Sequence, residues 1–346
     1  MIKKFTKTYA DIISPENLLM AWQEFLKGKR NKKDVQEFQL HLMDNILELH
    51  KELENFSYKH GGYHHFRISD PKPRDIHKAN VRDRLLHHAI YRQLYPFFDR
   101  KFIADSYSCR LSRGTHKALN QFKSFCLKVS RNHTKTIWIL KCDIRKFFGS
   151  IDHQILSGIL EKNIPDKNIV RLLKEVIGSF SLFSNSHELE NSGDTEIGLP
   201  TQTGLPLGNL TSQILANVYM NEFDQFVKHK LKEKYYIRYA DDFVFVSDNK
   251  TELENLIPEI NEFLNVKLKL NLHPDKVFIK TLASGVDFLG WVNFPHHKVL
   301  RTATKRRMFK RIAENPKEET VESYLGMLKH GNAFKLGNKI KTTLEN

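Results

Sequence analysis

Three aspartates stand where a carboxylate could do chemistry. Asp143 closes an apolar run, Ile137-Trp138-Ile139-Leu140-Lys141-Cys142, and Asp241 and Asp242 lie between two further apolar runs. A strand ending in one acid, beside a hairpin whose turn carries two more, gathers hard oxygen ligands at one sheet edge. Such a set suits a pair of Mg²⁺ ions about 3.5–4 Å apart, as used in nucleotidyl transfer. One ion lowers the pKa of an attacking 3′-hydroxyl, and both neutralise charge as pyrophosphate leaves. Acids at turns are also common surface residues, and a Tyr-x-Asp-Asp tetrapeptide alone is only suggestive.

The elements that must hold these acids are legible from hydrophobic spacing. The run 137–142 predicts a buried strand, and 235–239 with 243–246 predicts a β-hairpin with Ala240-Asp241-Asp242 at its turn. Ala216, Met220, Phe223, Val227 and Leu231 recur at helical steps, so 212–231 reads as an amphipathic helix. Residues 15–55 read as helical, with Val35, Phe38, Leu42, Ile46, Leu49 and Leu53 on one face. The His-rich stretch at Gly61-Gly62 ends that pattern. Pro71 and Pro73 then favour an extended arm or tight turn, and 85–100 returns to helical spacing. The polar stretch 184–198 predicts a loop, and the tail from about 300 has helical stretches.

The 346 residues carry 55 Lys and Arg against 40 Asp and Glu, a net charge of +15, with a pI near 9.5. That excess points to a polyanionic partner, nucleic acid or an anionic membrane surface. No run approaches a membrane span, and no apolar signal region follows the basic amino terminus. Three cysteines without CxxC spacing disfavour a disulfide framework or a structural zinc. The length predicts two or three structural units. No acid lies between Asp287 and Glu314, whereas Lys298, Arg301, Lys305, Arg306, Arg307, Lys310 and Arg311 crowd that interval. It is a candidate duplex-contacting face, or simply a solvated one.

Asp143-Ile144-Arg145-Lys146-Phe147-Phe148, then 204–213, then Tyr239-Ala240-Asp241-Asp242, Asn271-Leu272-His273-Pro274-Asp275-Lys276 and Phe288-Leu289-Gly290-Trp291 follow in order. In these motifs the chain resembles the reverse transcriptases over most of its length. The resemblance implies an α+β right-hand polymerase: a helical extension at 1–60, fingers at 61–135, a mainly antiparallel palm at 136–292 with part of the fingers inserted at about 160–200, and a helical thumb at 293–346. It assigns the metal site to Asp143, Ile144, Asp241 and Asp242, for two Mg²⁺ with Mn²⁺ as a substitute. Lys72 and Arg74 would grip the triphosphate, and cations on a Pro-stiffened arm suit that task. Phe148 takes the position that collides with a 2′-hydroxyl, although Phe147 or Phe148 could equally be core. Lys276 takes the place of the lysine near the leaving phosphates, against the alternative of a surface lysine. Leu207, Gly208 and Gln213 would line the nucleotide site, and Tyr239, Trp291, Lys305, Arg306 and Arg307 would meet nucleic acid, although at Phe288–Trp291 an apolar hairpin packing palm against thumb would look the same.

Within the family, Pro206-Leu207-Gly208 with Ser212-Gln213, Arg113-Gly114-Thr115-His116-Lys117-Ala118 and Ser323-Tyr324-Leu325-Gly326-Met327-Leu328-Lys329-His330 resemble diversity-generating retroelements. Ile197-Gly198-Leu199-Pro200 does likewise. Those enzymes copy a template-repeat RNA with errors opposite adenine, alongside a small basic accessory variability protein. Leu207 replaces a glutamine of relatives, and an aliphatic side chain cannot make that amide's directional contact. After 300 the expected thumb leaves no length for RNase H, endonuclease or integrase. The expected partners are template RNA, primer, cDNA and dNTPs, in the cytoplasm and without a membrane. The rivals are a retron, defence or group II intron enzyme, and an RNA-binding protein on an inactive polymerase fold, which a missing catalytic acid would signal.

Overall fold

A computed structural model describes residues 4–69, 73–191 and 202–345, with side chains described outside 181–191 and 341–345. Four helices open the chain: α1 (Tyr9–Ile13), α2 (Pro15–Phe25), α3 (Lys33–Leu40) and α4 (Leu42–Glu54). The helical reading of 15–55 therefore divides in two places, at a turn after Phe25 and at His41, whose φ of -118° and ψ of 37° leave the helical range. Val35, Ile46, Leu49 and Leu53 are buried and Phe38 and Leu42 pack beside them, as their common face requires.

An antiparallel hairpin follows, β1 (Tyr63–Ile68) and β2 (Arg74–Ala79). Pro73 falls just before β2, where it removes no ladder hydrogen bond, and Pro71 lies outside the described residues. Asn80 then caps α5 (Val81–Asp99) by accepting from the Asp83 N–H at 2.8 Å. After α6 (Thr115–Val129) comes the buried strand β3 (Trp138–Asp143), which ends on the acid as expected. Short α7 (Phe147–Ser150), α8 (His153–Asn163) and α9 (Lys167–Asn191) follow. The loop expected over 184–198 is thus helical as far as Asn191. Extending a formed helix costs less than starting one, and no Pro or Gly interrupts 179–191. The rest of that stretch, with the motif at 197–200, lies outside the described residues.

Helix α10 (Leu210–His229) leads into β4 (Tyr236–Tyr239) and β5 (Asp242–Ser247), then α11 (Lys250–Leu268) and β6 (Phe278–Thr281). Strands β4, β5, β3 and β6 form one antiparallel sheet in that order. Side chains alternate across it. Leu140, Cys142, Tyr236, Phe243 and Phe245 enter one core with α5, α10 and α11. Ile139, Ile237, Val244 and Val246 enter a second core with α6. That second core also takes in β7 (Val286–Phe288), β8 (Trp291–Asn293), β9 (Lys298–Leu300), α12 (Thr302–Glu314), α13 (Glu318–Leu328) and α14 (Phe334–Glu345). The expectation that 293–346 is helical is corrected at its start, because β9 pairs with β8 before the helices begin. The fold is α+β with antiparallel sheets. Cys109, Cys126 and Cys142 are free. Among the described residues no helix is long and apolar enough to cross a membrane.

Candidate active site

The sheet places all three acids at one end. Asp143 is the cross-strand partner of Asp242, and Tyr239 also pairs with Asp242. The turn is therefore Ala240-Asp241, and Asp242 is the first residue of β5 rather than part of the turn. Ala240 is left-handed, with φ of 57°, a conformation that a β-carbon disfavours. Arg238 holds it from behind. Its guanidinium donates to the Ala240 carbonyl at 3.1 Å and grips Asp224 with two bonds of 2.8 and 2.7 Å. It also reaches Asn217 and Ser106, and both Arg238 and Asp224 are fully buried. The Ile144 N–H donates to the Asp241 carbonyl at 3.2 Å, joining the end of β3 to the turn.

The segment 271–276 locks onto the same end. Arg145 N–H donates to the Asn271 carbonyl, and His273 N–H donates to that of Asp143. This seats the Lys276 ammonium 2.8 Å from Asp143 Oδ1. Lys141, two residues before Asp143 on the same side of β3, lies 3.4 Å from Asp242 Oδ1. The sequence does not single Lys141 out by type. Strand alternation is the signal that could have found it, since i and i+2 share a face.

Burial raises the Asp241 carboxyl above its usual range; Asp143 adds to this, and Lys276 and Arg74 oppose it. Burial likewise pushes Asp242 up to about 7, opposed by Lys141 and reinforced by Asp241 and Asp143. Asp242 Oδ1 is buried without a hydrogen-bond partner, because the Lys141 contact is an ion pair only. A buried acceptor without a hydrogen bond is costly, and a divalent cation would satisfy it. Hard carboxylate oxygens are the donor type that Mg²⁺ takes. Among the described residues no group of three or more His, Cys, Asp or Glu side chains converges closely enough to hold a metal as it stands. Lys276 stands against Asp143 Oδ1 and Lys141 against Asp242 Oδ1 instead. Ile144 is 1% exposed and its N–H is engaged. Only its carbonyl oxygen could serve as a ligand.

The expected nucleotide contacts divide. Lys72 lies outside the described residues. Arg74 is exposed on β2, close enough to Asp241 for its charge to be felt there. Phe147 is core, whereas Phe148 is half-buried in α7. The loop before α10 is stitched to α7 by Leu205 N–H to the Phe148 carbonyl and Gly204 N–H to that of Ile151, both at 2.8 Å. It is stitched to β2 by His77 N–H to the Leu207 carbonyl at 3.0 Å. Asn209 completes that join, donating to the His77 carbonyl and accepting from the Ala79 N–H. Only cross-chain packing reveals its role. Gly208 has φ of 107°, and a β-carbon there would lie 2.8 Å from Ile76 Cγ2. Gln213 is exposed and, with Gly208, lines a cavity of about 390 Å³ under the hairpin with Ile76, Lys78 and Arg84.

Tyr239 is half-buried, its hydroxyl accepting from Thr115 at 3.3 Å. Trp291 is corrected as a nucleic-acid contact: it is 3% exposed. Lys298 covers one side of its ring, and the Gly331 backbone packs so closely that a β-carbon would overlap the indole. An indole enclosed in this way has no face left for a base. Arg306 is exposed on α12, with Lys305 and Arg307 half-exposed, while Met308 and Ile312 turn inward.

A family model described as "Reverse transcriptase (RNA-dependent DNA polymerase)" matches residues 67–292, the interval that carries β2 and the three acids Asp143, Asp241 and Asp242. The chain belongs to the reverse transcriptase family. RNA-directed DNA polymerisation is the activity of that family. The enzyme is 25% identical over 286 residues to Protein YkfC of Escherichia coli, covering 72% of this chain and 69% of YkfC. It is 22% identical over 355 residues to the group II intron-encoded protein LtrA of Lactococcus lactis, covering 83% of this chain. The chain spans 56% of LtrA. Its fold is similar to telomerase of Candida albicans, solved with a fragment of telomeric RNA, at a TM-score of 0.49 and 10% identity, covering 72% of this reverse transcriptase and 48% of the telomerase chain.

Proposed function

We propose that the chain copies an RNA template into cDNA by metal-assisted nucleotidyl transfer, within a diversity-generating retroelement. The observation that carries the chemistry is the carboxylate end of the β3–β5 pair, with Asp242 Oδ1 buried, without a hydrogen bond and faced only by the Lys141 ammonium at 3.4 Å. Asp143, Asp241, Asp242 and the Ile144 carbonyl would hold Mg²⁺, which when bound activates the primer hydroxyl and neutralises phosphate charge. The primer 3′-hydroxyl gives up its proton to solvent, its oxygen bonds to the α-phosphorus, the bond from the α-phosphorus to the oxygen bridging to the β-phosphate breaks, and pyrophosphate leaves with that oxygen and its electron pair. Arg74, with Lys72 on the same arm, receives the triphosphate. Lys276, released from Asp143, supplies positive charge or a proton to the leaving pyrophosphate. Phe148, on the helix that follows β3, excludes a 2′-hydroxyl. The partners are template RNA, primer, cDNA and dNTPs.

The narrower reading rests on Leu207. The residue sits in the loop before α10, tied to β2 by the His77 N–H to its carbonyl, and its aliphatic side chain cannot replace an amide's hydrogen bond. Weakened geometric discrimination follows, with errors opposite template adenines and a small basic accessory protein as a further partner. The similarity to LtrA favours a second reading, a group II intron type of enzyme. Sequencing cDNA made by wild type and Leu207→Gln on an adenine-containing RNA separates the two. The diversity-generating reading expects adenine-directed errors that fall in Leu207→Gln. Faithful synthesis by the wild type, with template RNA and accessory protein supplied, favours the second.

A further inference from the structure

Among the long stretches of the sequence with no acidic residue are 106–142, 288–313 and 323–344. They are far apart in the chain, yet the fold brings them around one cavity. It holds about 360 Å³ and lies between α6, the β8–β9 turn and the α13–α14 connection. Lys123, His133, His296, Lys298, Lys329 and His330 line it, and none of its lining residues is a carboxylate. Asn120, Asn293 and Asn332 add amide groups, and Leu119, Phe122 and Cys126 give it an apolar side.

The cavity is separate from the catalytic acids. Thr115, at the start of α6, touches Tyr239 beside the catalytic turn. The cavity opens further along the same helix, at residues 119–126. At 1.5 Å per residue that displacement is about 6–16 Å. The histidines crowd one another. His133 and His296 have ring centroids 4.9 Å apart, and His116 stacks on His330 at 3.8 Å. Lys298 is held below its usual range by burial and by the charge of Lys123. His133 is lowered by burial, then by His296 and Lys123, and His116 by burial, then by His330 and Lys298. The lowered histidines are neutral hydrogen-bonding rings at neutral pH, and it is Lys123, Lys298 and Lys329, in a lining without a carboxylate, that leave the space positive.

We propose that this cavity is a second nucleic-acid site, receiving phosphate groups of an RNA strand away from the catalytic acids. A multiply charged strand matches three converging acid-free segments better than a single anion does, because each phosphate can meet a different lysine. The Asn120 and Asn332 amides and the imidazole rings of half-buried His133 and exposed His296 and His330 supply hydrogen bonds to phosphate oxygens.

Lys123 and Lys329 are exposed, so Lys123→Gln/Lys329→Gln leaves the core untouched. The test is binding of a short fluorescein-labelled single-stranded RNA to the full chain without divalent metal or dNTP, over a salt series. Losing two phosphate contacts should lower the slope of log K against log salt by about 1.4. Lys162→Gln/Lys167→Gln, which removes the same charge elsewhere, should leave the slope near the wild-type value. In parallel, ring signals of His133 and His330 are followed by NMR while RNA, inorganic phosphate or an acidic peptide is added.

A reduced slope with RNA-induced shifts of both histidines supports the proposal. Equal slopes for both double variants would overturn it. Shifts with inorganic phosphate, without a slope change, would make the ligand free phosphate and overturn the RNA occupant. Shifts with the acidic peptide alone would overturn it in favour of a protein partner. Repeating the binding in Asp242→Asn keeps the result independent of polymerase activity.

Discussion

Asp242 should destabilise the metal-free protein at neutral pH, and replacing it should show by how much. Its carboxyl titrates at about 7 in the fold against 3.8 ordinarily. Between those values the folded state holds a proton that the unfolded chain has released. Stability is therefore whole below about pH 4 and falls as pH rises through about 7. A displacement near three pH units corresponds to about 4 kcal/mol as a ceiling. The side chain is 19% exposed, so solvent screening leaves about 2–4 kcal/mol. Asp242→Asn keeps the shape without the charge and should lack this slope. Urea unfolding of both proteins in EDTA, from acid to mildly alkaline pH, reads the difference. The two curves should meet near pH 4 and part progressively, with the variant more stable at pH 8. Saturating Mg²⁺ should then stabilise the wild type more than the variant, because the cation binds the folded state through this carboxylate. Parallel pH profiles, or equal stabilisation by Mg²⁺, would refute the electrostatic account of the site.

Phe148→Ala should open the nucleotide site to a 2′-hydroxyl, lowering the dNTP/rNTP ratio of kcat/KM by about 10–200-fold in single-nucleotide incorporation. Arg238→Met should cost about 3–5 kcal/mol in urea unfolding by leaving Asp224 buried without a counter-charge, its remaining partner the Tyr236 hydroxyl. Arg238→Met/Asp224→Leu should recover part of that loss, and an additive double variant would contradict the pairing. Leu207→Gln should reduce errors opposite adenine in sequenced cDNA.

The acids, their strand and their hairpin were legible because two-residue alternation and a carboxylate at a strand end are local signals. The α10 face was legible for the same reason. Lys141 and Arg238 were not: each looks like an ordinary charged residue until the sheet buries it against Asp242 or Asp224. Asn209 required the meeting of β2 with a loop well over a hundred residues away. Trp291 misled in the opposite direction. Its place in a motif suggested a nucleic-acid contact, whereas a glycine forty residues later lets the backbone close over its ring. The helix through 184–191 was hidden by polar composition, which tells of exposure rather than backbone state.

Primer extension is the most direct test of the three-acid polymerase site. The full chain is given an RNA template, a DNA primer, dNTPs and Mg²⁺, with Asp143→Asn, Asp241→Asn and Asp242→Asn alongside. The account requires RNA-templated extension by the wild type that EDTA abolishes, and loss of at least about a hundredfold in each variant, the order expected when an electrostatic contact to the transition state is removed. Extension that survives loss of any one of the three acids would contradict it.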